Sequence, residues 1–257
     1  RSIRNNECKV SYMMEALSVC HNVTPVVTDG KIFYQASSPD ELAIIYYLEE
    51  IGIILRGRTM KDLSINYNFV DSTECEIKYG IIHVFPFNSD VKRMGIIVKR
   101  MGNVPSDLSP YVFFLKGADM VMKEIVEEND WVEEETDNMA REGLRTLIVA
   151  KRELSEDEFH RFNKEYLNAK MTIKNRAQNM LAVQESLETN LTLFGLTGVE
   201  DKLQDQIKET LESLRSANIK IWMLTGDKIE TAISIAKSSR LMSKNDQYMV
   251  ISNCTSK

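Results

Sequence analysis

A hydroxyl, a glycine and a carboxylate follow one another directly after an apolar run in the last part of the sequence. The apolar run covers 219–224, and the three residues are Thr225, Gly226 and Asp227. Ligands of open α/β sheets bind at the carboxyl ends of the strands, where this trio suits a phosphoryl group, a water molecule or a metal ion. Asp227 alternatively caps the next helix, with Glu230 completing a capping box. The residues alone leave both interpretations open.

A second segment places aromatic, hydroxyl and basic side chains between two apolar runs. It spans 85–94 and includes Phe87, Ser89 and Lys92. Aromatic rings stack on nucleobases and lysines complement phosphates, which predicts a nucleotide cleft. The alternative is a core phenylalanine beside a solvated basic turn, and the residue types alone favour it, because aromatic residues of strands usually serve packing.

Two further basic residues stand beside glycines at the ends of predicted strands. Lys116 follows the apolar run 111–115 and precedes Gly117, where its amine can meet a phosphate or a ribose. Arg145 and Thr146 come shortly after another glycine, and a guanidinium holds an oxyanion through two parallel hydrogen bonds. The alternatives are an exposed lysine and an arginine that forms a structural salt bridge.

The segment 52–59 superficially resembles a phosphate-binding P-loop. Gly52 and Gly57 match the glycines of that motif, but Arg58 stands where the motif needs lysine, and the residues between the glycines are mostly apolar. We therefore interpret the segment as a strand.

The elements predicted around these residues in the first part of the chain form an antiparallel sheet with flanking helices. Ser38-Pro39-Asp40-Glu41 has the form of a capping box with proline at the first helical position, so a helix is expected to begin there. The β-rich runs that follow are joined mainly by short links, which favours antiparallel pairing. These runs cover 53–58, 65–70, 76–87, 94–99 and 111–115, and a further strand is predicted at 145–150.

The pattern changes to alternating strands and helices after residue 190. A strand at 191–196, a helix that carries Leu203 to Leu214, a strand at 219–224 and a helix at 230–238 predict a parallel sheet. We therefore expect two domains, 1–190 and 191–257. Further helices are predicted from residue 118 and at 131–142, 155–169 and 174–187.

Composition excludes several classes of protein. The chain has 257 residues, of which 43% are hydrophobic and 27% charged, which is typical of a folded globular protein. Its net charge of -6 argues against nucleic acid as a partner. No apolar run approaches the roughly 20 residues that a transmembrane helix needs. The four cysteines and three histidines are scattered, which argues against structural zinc and a disulfide framework.

Six ordered motifs resemble the cytosolic nucleotide-binding region of a P-type ATPase, and more specifically of the type-IV branch, the lipid flippases. The resemblance covers nearly the whole chain. The sequences of 92–98, 129–131 and 139–143 are similar to those of the members that work without an accessory subunit. The motifs are Ser38-Pro39-Asp40-Glu41-Leu42-Ala43, Phe85-Pro86-Phe87-Asn88-Ser89 with Lys92-Arg93-Met94, Lys116-Gly117-Ala118-Asp119, Gly143-Leu144-Arg145-Thr146, Gly198-Val199-Glu200-Asp201-Lys202-Leu203-Gln204 and Thr225-Gly226-Asp227-Lys228.

The resemblance implies an α/β fold in which an α+β nucleotide-binding domain precedes part of a Rossmann-like, haloacid-dehalogenase-like phosphorylation domain. It implies that Glu41 hydrogen-bonds adenine, that Phe87 stacks on it, and that Glu200 and Asp201 lie at a hinge. The remaining residues implied to bind ATP are Ser89, Lys92 and Lys116 in the cleft, Arg145 and Thr146 at the ribose and phosphates, and Thr225, Gly226 and Asp227 at the terminal phosphoryl group and its Mg²⁺.

Two motifs of the family are absent from the sequence. Asp201-Lys202 and Asp227-Lys228 do not continue as the Asp-Lys-Thr-Gly-Thr of the phosphorylated aspartate, and there is no Gly-Asp-Gly to supply Mg²⁺ ligands. We expect the nucleophile before residue 1 and the missing metal ligands after residue 257. The chain is therefore expected to bind ATP without hydrolysing it.

The resemblance also implies what the parent protein does. It would be an integral membrane protein that uses ATP to phosphorylate its own aspartate and moves phospholipid between leaflets, with this region on the cytosolic face of a Golgi or endosomal membrane. Two alternatives remain open. One is the nucleotide-binding domain of a cation-transporting P-type ATPase, and the other is a non-catalytic module that senses ATP.

Overall fold

A computed structural model of the chain describes residues 2–68, 74–102, 108–127, 129–243 and 246–251. Its strands are β1 (Thr24–Thr28), β2 (Lys31–Gln35), β3 (Ile53–Arg58), β4 (Asp62–Asn68), β5 (Glu74–Phe85), β6 (Arg93–Arg100), β7 (Tyr111–Ala118), β8 (Leu144–Leu154) and β9 (Thr192–Glu200). Its helices are α1 (Ser2–Val19), α2 (Pro39–Glu50), α3 (Asp119–Met122), α4 (Val132–Arg141), α5 (Glu156–Met171), α6 (Arg176–Glu185), α7 (Ile207–Ser216) and α8 (Ile229–Ser238).

Strands β3 to β9 form one seven-stranded sheet in which neighbours in sequence are neighbours in space. Pairing is antiparallel from β3 through β8, as the short links predict. The predicted strand at 65–70 corresponds to β4, and its last two residues lie outside the described residues. The predicted fold, an antiparallel sheet with flanking helices in a mixed α/β chain, is confirmed.

The sheet is covered on both faces because the middle of its central strands is apolar on both sides. Successive side chains of a strand point to opposite faces. Val112 and Phe114 of β7 accordingly pack into one core cluster with residues of α1 and α2, whereas Phe113 and Leu115 pack into a second cluster with residues of α5. The parity of a residue in β7 therefore decides which group of helices it meets.

The sequence analysis did not predict an N-terminal helix and a β-hairpin that the structure contains. Helix α1 packs on the sheet beside α2, and β1 and β2 pair around the turn at Asp29 and Gly30. Both turn residues have positive φ angles, 52° and 75°. Asp-Gly is favoured in two-residue hairpin turns because both positions need such angles, so this dipeptide was the signal that could have revealed the hairpin.

Helix α2 begins at Pro39, as predicted, but the predicted capping box is wrong. Ser38 occupies the N-cap position and makes no side-chain capping hydrogen bond. The carboxylate of Glu41 accepts hydrogen bonds from Lys116 and from the backbone of Asn22 instead. Ser155 and Glu158 do form a capping box at the start of α5.

The chain divides into two compact units, Arg1–Glu133 with Thr146–Val199 and Glu134–Arg145 with Glu200–Lys257. In the second unit α7 and α8 form as predicted, but the predicted strand at 219–224 is wrong. Strand β9 pairs within the seven-stranded sheet, so no described strand runs beside 219–224, and a lone strand cannot satisfy its backbone hydrogen bonds. Trp222 and Leu224 are consequently exposed.

None of the described helices combines the length and the hydropathy that a membrane-spanning helix requires.

Candidate functional site

The centre of the candidate site is a buried ion pair between β7 and α2. Lys116 has the same parity as Val112 and Phe114, so β7 directs its side chain to the face that α2 covers. Its Nζ donates to Oε1 of Glu41 at 2.8 Å, and the exposed fractions of the two side chains are 6% and 13%. Burial of an amine requires such a partner, so Lys116 is not the exposed lysine that its residue type favours.

The second oxygen of Glu41 is fixed by the segment that follows α1. The backbone N–H of Asn22 donates to Oε2 at 3.1 Å. His21, next to it, is buried, and its Nδ1 accepts the backbone N–H of Val23 at 3.0 Å. The other ring nitrogen, Nε2, therefore carries the hydrogen that it donates to the carbonyl of Ser18 at 2.9 Å. Burial holds the pKa of His21 well below its usual range, so the imidazole ring stays neutral.

The two phenylalanines of the predicted nucleotide segment lie in different environments, Phe85 at the end of β5 and Phe87 in the loop of residues 86–92. The predicted strand at 76–87 ends at Phe85, which is 4% exposed and packs in the core. Phe87 is 61% exposed, so the core phenylalanine of this segment is Phe85. Ser89 and Lys92, also in this loop, are exposed.

The close approach of this loop to β7 explains the glycine after Lys116. Lys92 has a φ of 50°, and its carbonyl accepts the backbone N–H of Ala118 at 3.0 Å. A Cβ on Gly117 would lie 2.7 Å from the Cβ of Arg93 and 3.0 Å from the carbonyl oxygen of Lys92. Only glycine allows the two backbones to approach so closely, and this contact ties the loop to Lys116.

A second buried ion pair, which the sequence analysis missed, anchors the end of the loop. The guanidinium of Arg93 donates from Nε to Oε1 of Glu188, and its Nη2 lies 2.8 Å from Oε2, so the contact is bidentate. Glu188 also accepts a hydrogen bond from Gln184 of α6 at 3.1 Å.

We name Glu41, Lys116 and the 86–92 loop the Glu41–Lys116 site.

The predicted residues of the second unit make their own contacts. Arg145 pairs with Asp201 at 2.7 Å, so its structural salt bridge is present. The hydroxyl of Thr225 donates to Oδ2 of Asp227 at 2.8 Å and accepts the backbone N–H of Asp227 at 3.1 Å. Helix α8 has Lys228 at its N-cap without a side-chain capping bond, so the structure does not show Asp227 as the cap.

The remaining predicted residues lie at or near the ends of secondary-structure elements. Thr146 belongs to β8 and Glu200 is the last residue of β9, while Gly226 lies in the turn before α8. A cavity of about 1100 Å³ lies in the second unit beside α7 and α8. None of the predicted site residues lines it, so we do not assign the nucleotide to it.

The comparisons with known proteins agree with the motifs. Residues 9–206 match the family model described as P-type ATPase, cytoplasmic domain N. The chain is 48% identical over 95% of its length to the probable phospholipid-transporting ATPase tat-5 of Caenorhabditis elegans, covering 22% of that protein. It is 48% identical over 96% of its length to the phospholipid-transporting ATPase NEO1 of Saccharomyces cerevisiae, covering 21% of that protein.

A human relative gives the same result. The probable phospholipid-transporting ATPase IIB of Homo sapiens is 42% identical over 97% of the chain, which covers 23% of that protein. The chain thus spans about a fifth of the length of the curated relatives it matches. These relatives are named phospholipid-transporting ATPases, which confirms the predicted resemblance to the lipid-flippase branch of the P-type ATPases. The chain therefore belongs to the P-type ATPases, and residues 9–206 are similar to their cytoplasmic domain N.

Proposed function

We propose that this chain binds ATP at the Glu41–Lys116 site, as the nucleotide-binding region of a phospholipid-transporting P-type ATPase. The observation that carries the proposal is the arrangement around Lys116. A buried ion pair with defined hydrogen-bond geometry lies at the end of β7, and the backbone of the same strand end holds the 86–92 loop, which exposes Phe87. A polar, buried end and an exposed aromatic ring suit a purine, which has polar edges and an apolar face.

Each residue of the Glu41–Lys116 site has a role in this proposal. Phe87 stacks on the base, and Glu41 accepts a hydrogen bond from the exocyclic amine of adenine. Lys116 and the N–H of Asn22 hold the carboxylate of Glu41 in place for that bond. Ser89 and Lys92, which are exposed, meet the ribose and phosphates, because charged phosphates retain water more easily at the surface.

The remaining predicted residues have proposed roles that rest on the family resemblance. Arg145 and Thr146 hold the ribose and phosphates, Thr225, Gly226 and Asp227 receive the terminal phosphoryl group, and Glu200 and Asp201 act as a hinge. In this proposal, residues up to about 190 form the nucleotide-binding domain and later residues belong to the phosphorylation domain.

P-type ATPases use ATP together with Mg²⁺, and the described residues fit the two differently. The Glu41–Lys116 site offers an aromatic face, an acceptor and exposed cations, which suits the nucleotide. Within the described ranges no three acidic, histidine or cysteine side chains come together to hold a metal ion. Of the proposed phosphoryl-binding trio only Asp227 carries a carboxylate, so these residues do not form a complete Mg²⁺ site, and no step through the metal is derived.

For the whole protein we propose ATP-driven phosphorylation of an aspartate outside this chain, coupled to translocation of phospholipid between leaflets. Support comes from the names of the relatives, which favour lipid over cations as the transported substrate. We further propose action without an accessory subunit, at the cytosolic face of a Golgi or endosomal membrane. The proposed lipid substrate is tested by measuring ATP hydrolysis of the full-length protein with added phospholipid. Stimulation by phospholipid would support it, and stimulation by a cation alone would refute it.

An ATP titration of the 257-residue chain by calorimetry tests the proposed site. Phe87→Ala is expected to weaken binding about 5- to 150-fold, since loss of base stacking costs about 1–3 kcal/mol. Phe33→Ala is the matched control, because Phe33 is an exposed phenylalanine of the hairpin, 49% exposed. Absence of binding at millimolar ATP, or equal affinities of the two variants, would contradict the assignment.

A further inference from the structure

A β-bulge in β3 directs one arginine towards the interior. Leu55 pairs with Ile65, but the next pairs are Gly57 with Ser64 and Arg58 with Leu63, so Arg56 is the extra residue of the bulge. In a regular strand Leu55 and Gly57 would share a face. The bulge shifts this alternation by one residue, so Arg58 shares the inner face with Leu55, and Arg56 is exposed.

The inner face at this point is the one that carries the polar groups behind the Glu41–Lys116 site. Leu55 and Leu63 belong to the core cluster that also contains Cys20 and residues of α2. Nη1 of Arg58 is buried and has no hydrogen-bond partner among the described residues. A buried donor without an acceptor is rare in native proteins, so it needs an explanation.

Charges of the Glu41–Lys116 pair act on Arg58 and on His21. Burial lowers the pKa of Arg58, and the charge of Glu41 opposes this shift. Burial also lowers the pKa of His21, and the charges of Arg58 and Lys116 lower it further. Arg58, Glu41, Lys116 and His21 therefore lie within reach of one another's fields.

The charges of this cluster do not balance. Arg58 and Lys116 are cations, and Glu41 is the carboxylate that hydrogen-bonds within the cluster. His21 is neutral, and burial raises the pKa of the Cys20 thiol to about 11, so the thiol stays protonated. The cluster thus has one surplus positive charge, and Nη1 of Arg58 has no acceptor among the described residues. An acceptor atom of a ligand would satisfy this nitrogen.

We propose that Arg58 is a further nucleotide-binding residue, whose guanidinium donates a hydrogen bond to an acceptor nitrogen of the purine ring. The inference rests on the proposed ATP site and adds a base-recognising residue to it. The base is favoured over the phosphates because the open donor is buried. A triphosphate keeps its hydration at the exposed Lys92, whereas an uncharged ring nitrogen enters a buried site at much lower cost.

Titrations of the chain with ATP and with adenosine, followed by NMR, test the proposal. Arg58→Ala is expected to weaken the binding of both ligands by the same factor, about 10- to 100-fold, because the lost hydrogen bond goes to the base. Arg58→Lys keeps the charge but not the planar fork and should recover only part of the affinity. Arg56→Ala, which removes the exposed arginine of the bulge, is the matched control and should bind both ligands as the wild type does.

A ligand series keeps the test independent of whether a variant folds. ATP analogues in which carbon replaces N1, N3 or N7 remove one acceptor at a time, and one of them is expected to bind the wild-type chain about 10-fold or more weakly than ATP. Equal binding of all three analogues and ATP would overturn the proposal. So would a loss of ATP binding by Arg58→Ala without any loss of adenosine binding, which would indicate a phosphate contact.

These outcomes are distinguishable from a failure of the proposed function. If the wild-type chain binds ATP and Phe87→Ala weakens it while Arg58→Ala does not, the nucleotide site stands and the role of Arg58 is refuted. If the wild-type chain binds neither ATP nor adenosine, the proposed site itself is refuted, and the role of Arg58 is refuted with it.

Discussion

Removal of Glu188 is expected to destabilise the chain strongly because it leaves a buried charge without its partner. The side chains of Arg93 and Glu188 are 9% and 3% exposed, and they share two short contacts. Breaking a buried ion pair by removing one partner typically costs about 3–5 kcal/mol. Glu185 lies 3.5 Å from Nη2 of Arg93 and compensates part of the charge, so we expect Glu188→Ala to cost about 3 kcal/mol.

Urea unfolding followed by circular dichroism measures this cost. A loss of about 3 kcal/mol is a large fraction of the roughly 5–15 kcal/mol by which domains are stable. Glu76→Ala is the matched control, because Glu76 pairs with Lys78 at 3.2 Å on the surface, where an ion pair contributes about 0–1 kcal/mol. Similar losses for Glu188→Ala and Glu76→Ala would refute the reasoning.

The double variant Arg93→Met/Glu188→Leu sharpens the test. It removes both charges and leaves no uncompensated group, so it should be more stable than Glu188→Ala alone. Because Arg93 anchors the end of the 86–92 loop, Glu188→Ala should also weaken ATP binding at temperatures where it remains folded. A double variant less stable than the single one would show that the cost comes from lost packing.

Three other properties can be measured on the same chain. Gly117→Ala should lower the thermal midpoint by an amount equivalent to about 1–3 kcal/mol, since its Cβ would lie 2.7 Å from the Cβ of Arg93, and an unchanged melt would argue against this close approach. The free energy of unfolding should fall as pH drops below about 6.5, because His21 stays neutral in the folded chain but takes up a proton in the unfolded one. The slope of stability against pH reaches about 1.4 kcal/mol per pH unit and should be shallower in His21→Gln. Equal slopes of the two proteins would contradict a buried neutral ring. Backbone amides of 220–225 should exchange with deuterium faster than those of β7, and equal protection would mean that 219–224 has a strand partner in solution.

Local patterns predicted the elements that surround the site. The start of α2 followed from Pro39, and β6 and β7 followed from continuous apolar runs. The sequence showed that a glycine follows Lys116, but it did not show why a glycine is needed there. That cause is the approach of the Lys92 backbone, a contact between segments about 25 residues apart that no local pattern reports.

The features that sequence analysis missed depend on tertiary partners. Glu41 has the spacing of a capping residue, but a buried amine on β7 competes for its carboxylate and prevails, because an unpaired buried charge costs more than a missing cap. The apolar run 219–224 has the composition of a strand, yet a strand forms only where a neighbour pairs with it. Arg93 and Glu188 are 95 residues apart, so neither identifies the other in the sequence.

A crystal structure of the chain with a non-hydrolysable ATP analogue would test nucleotide binding at the Glu41–Lys116 site most directly. We expect the purine to stack on Phe87, with its exocyclic amine within hydrogen-bond distance of Glu41 and a ring nitrogen facing Arg58. Density for the base anywhere else, for instance in the cavity beside α7 and α8, would contradict the assignment.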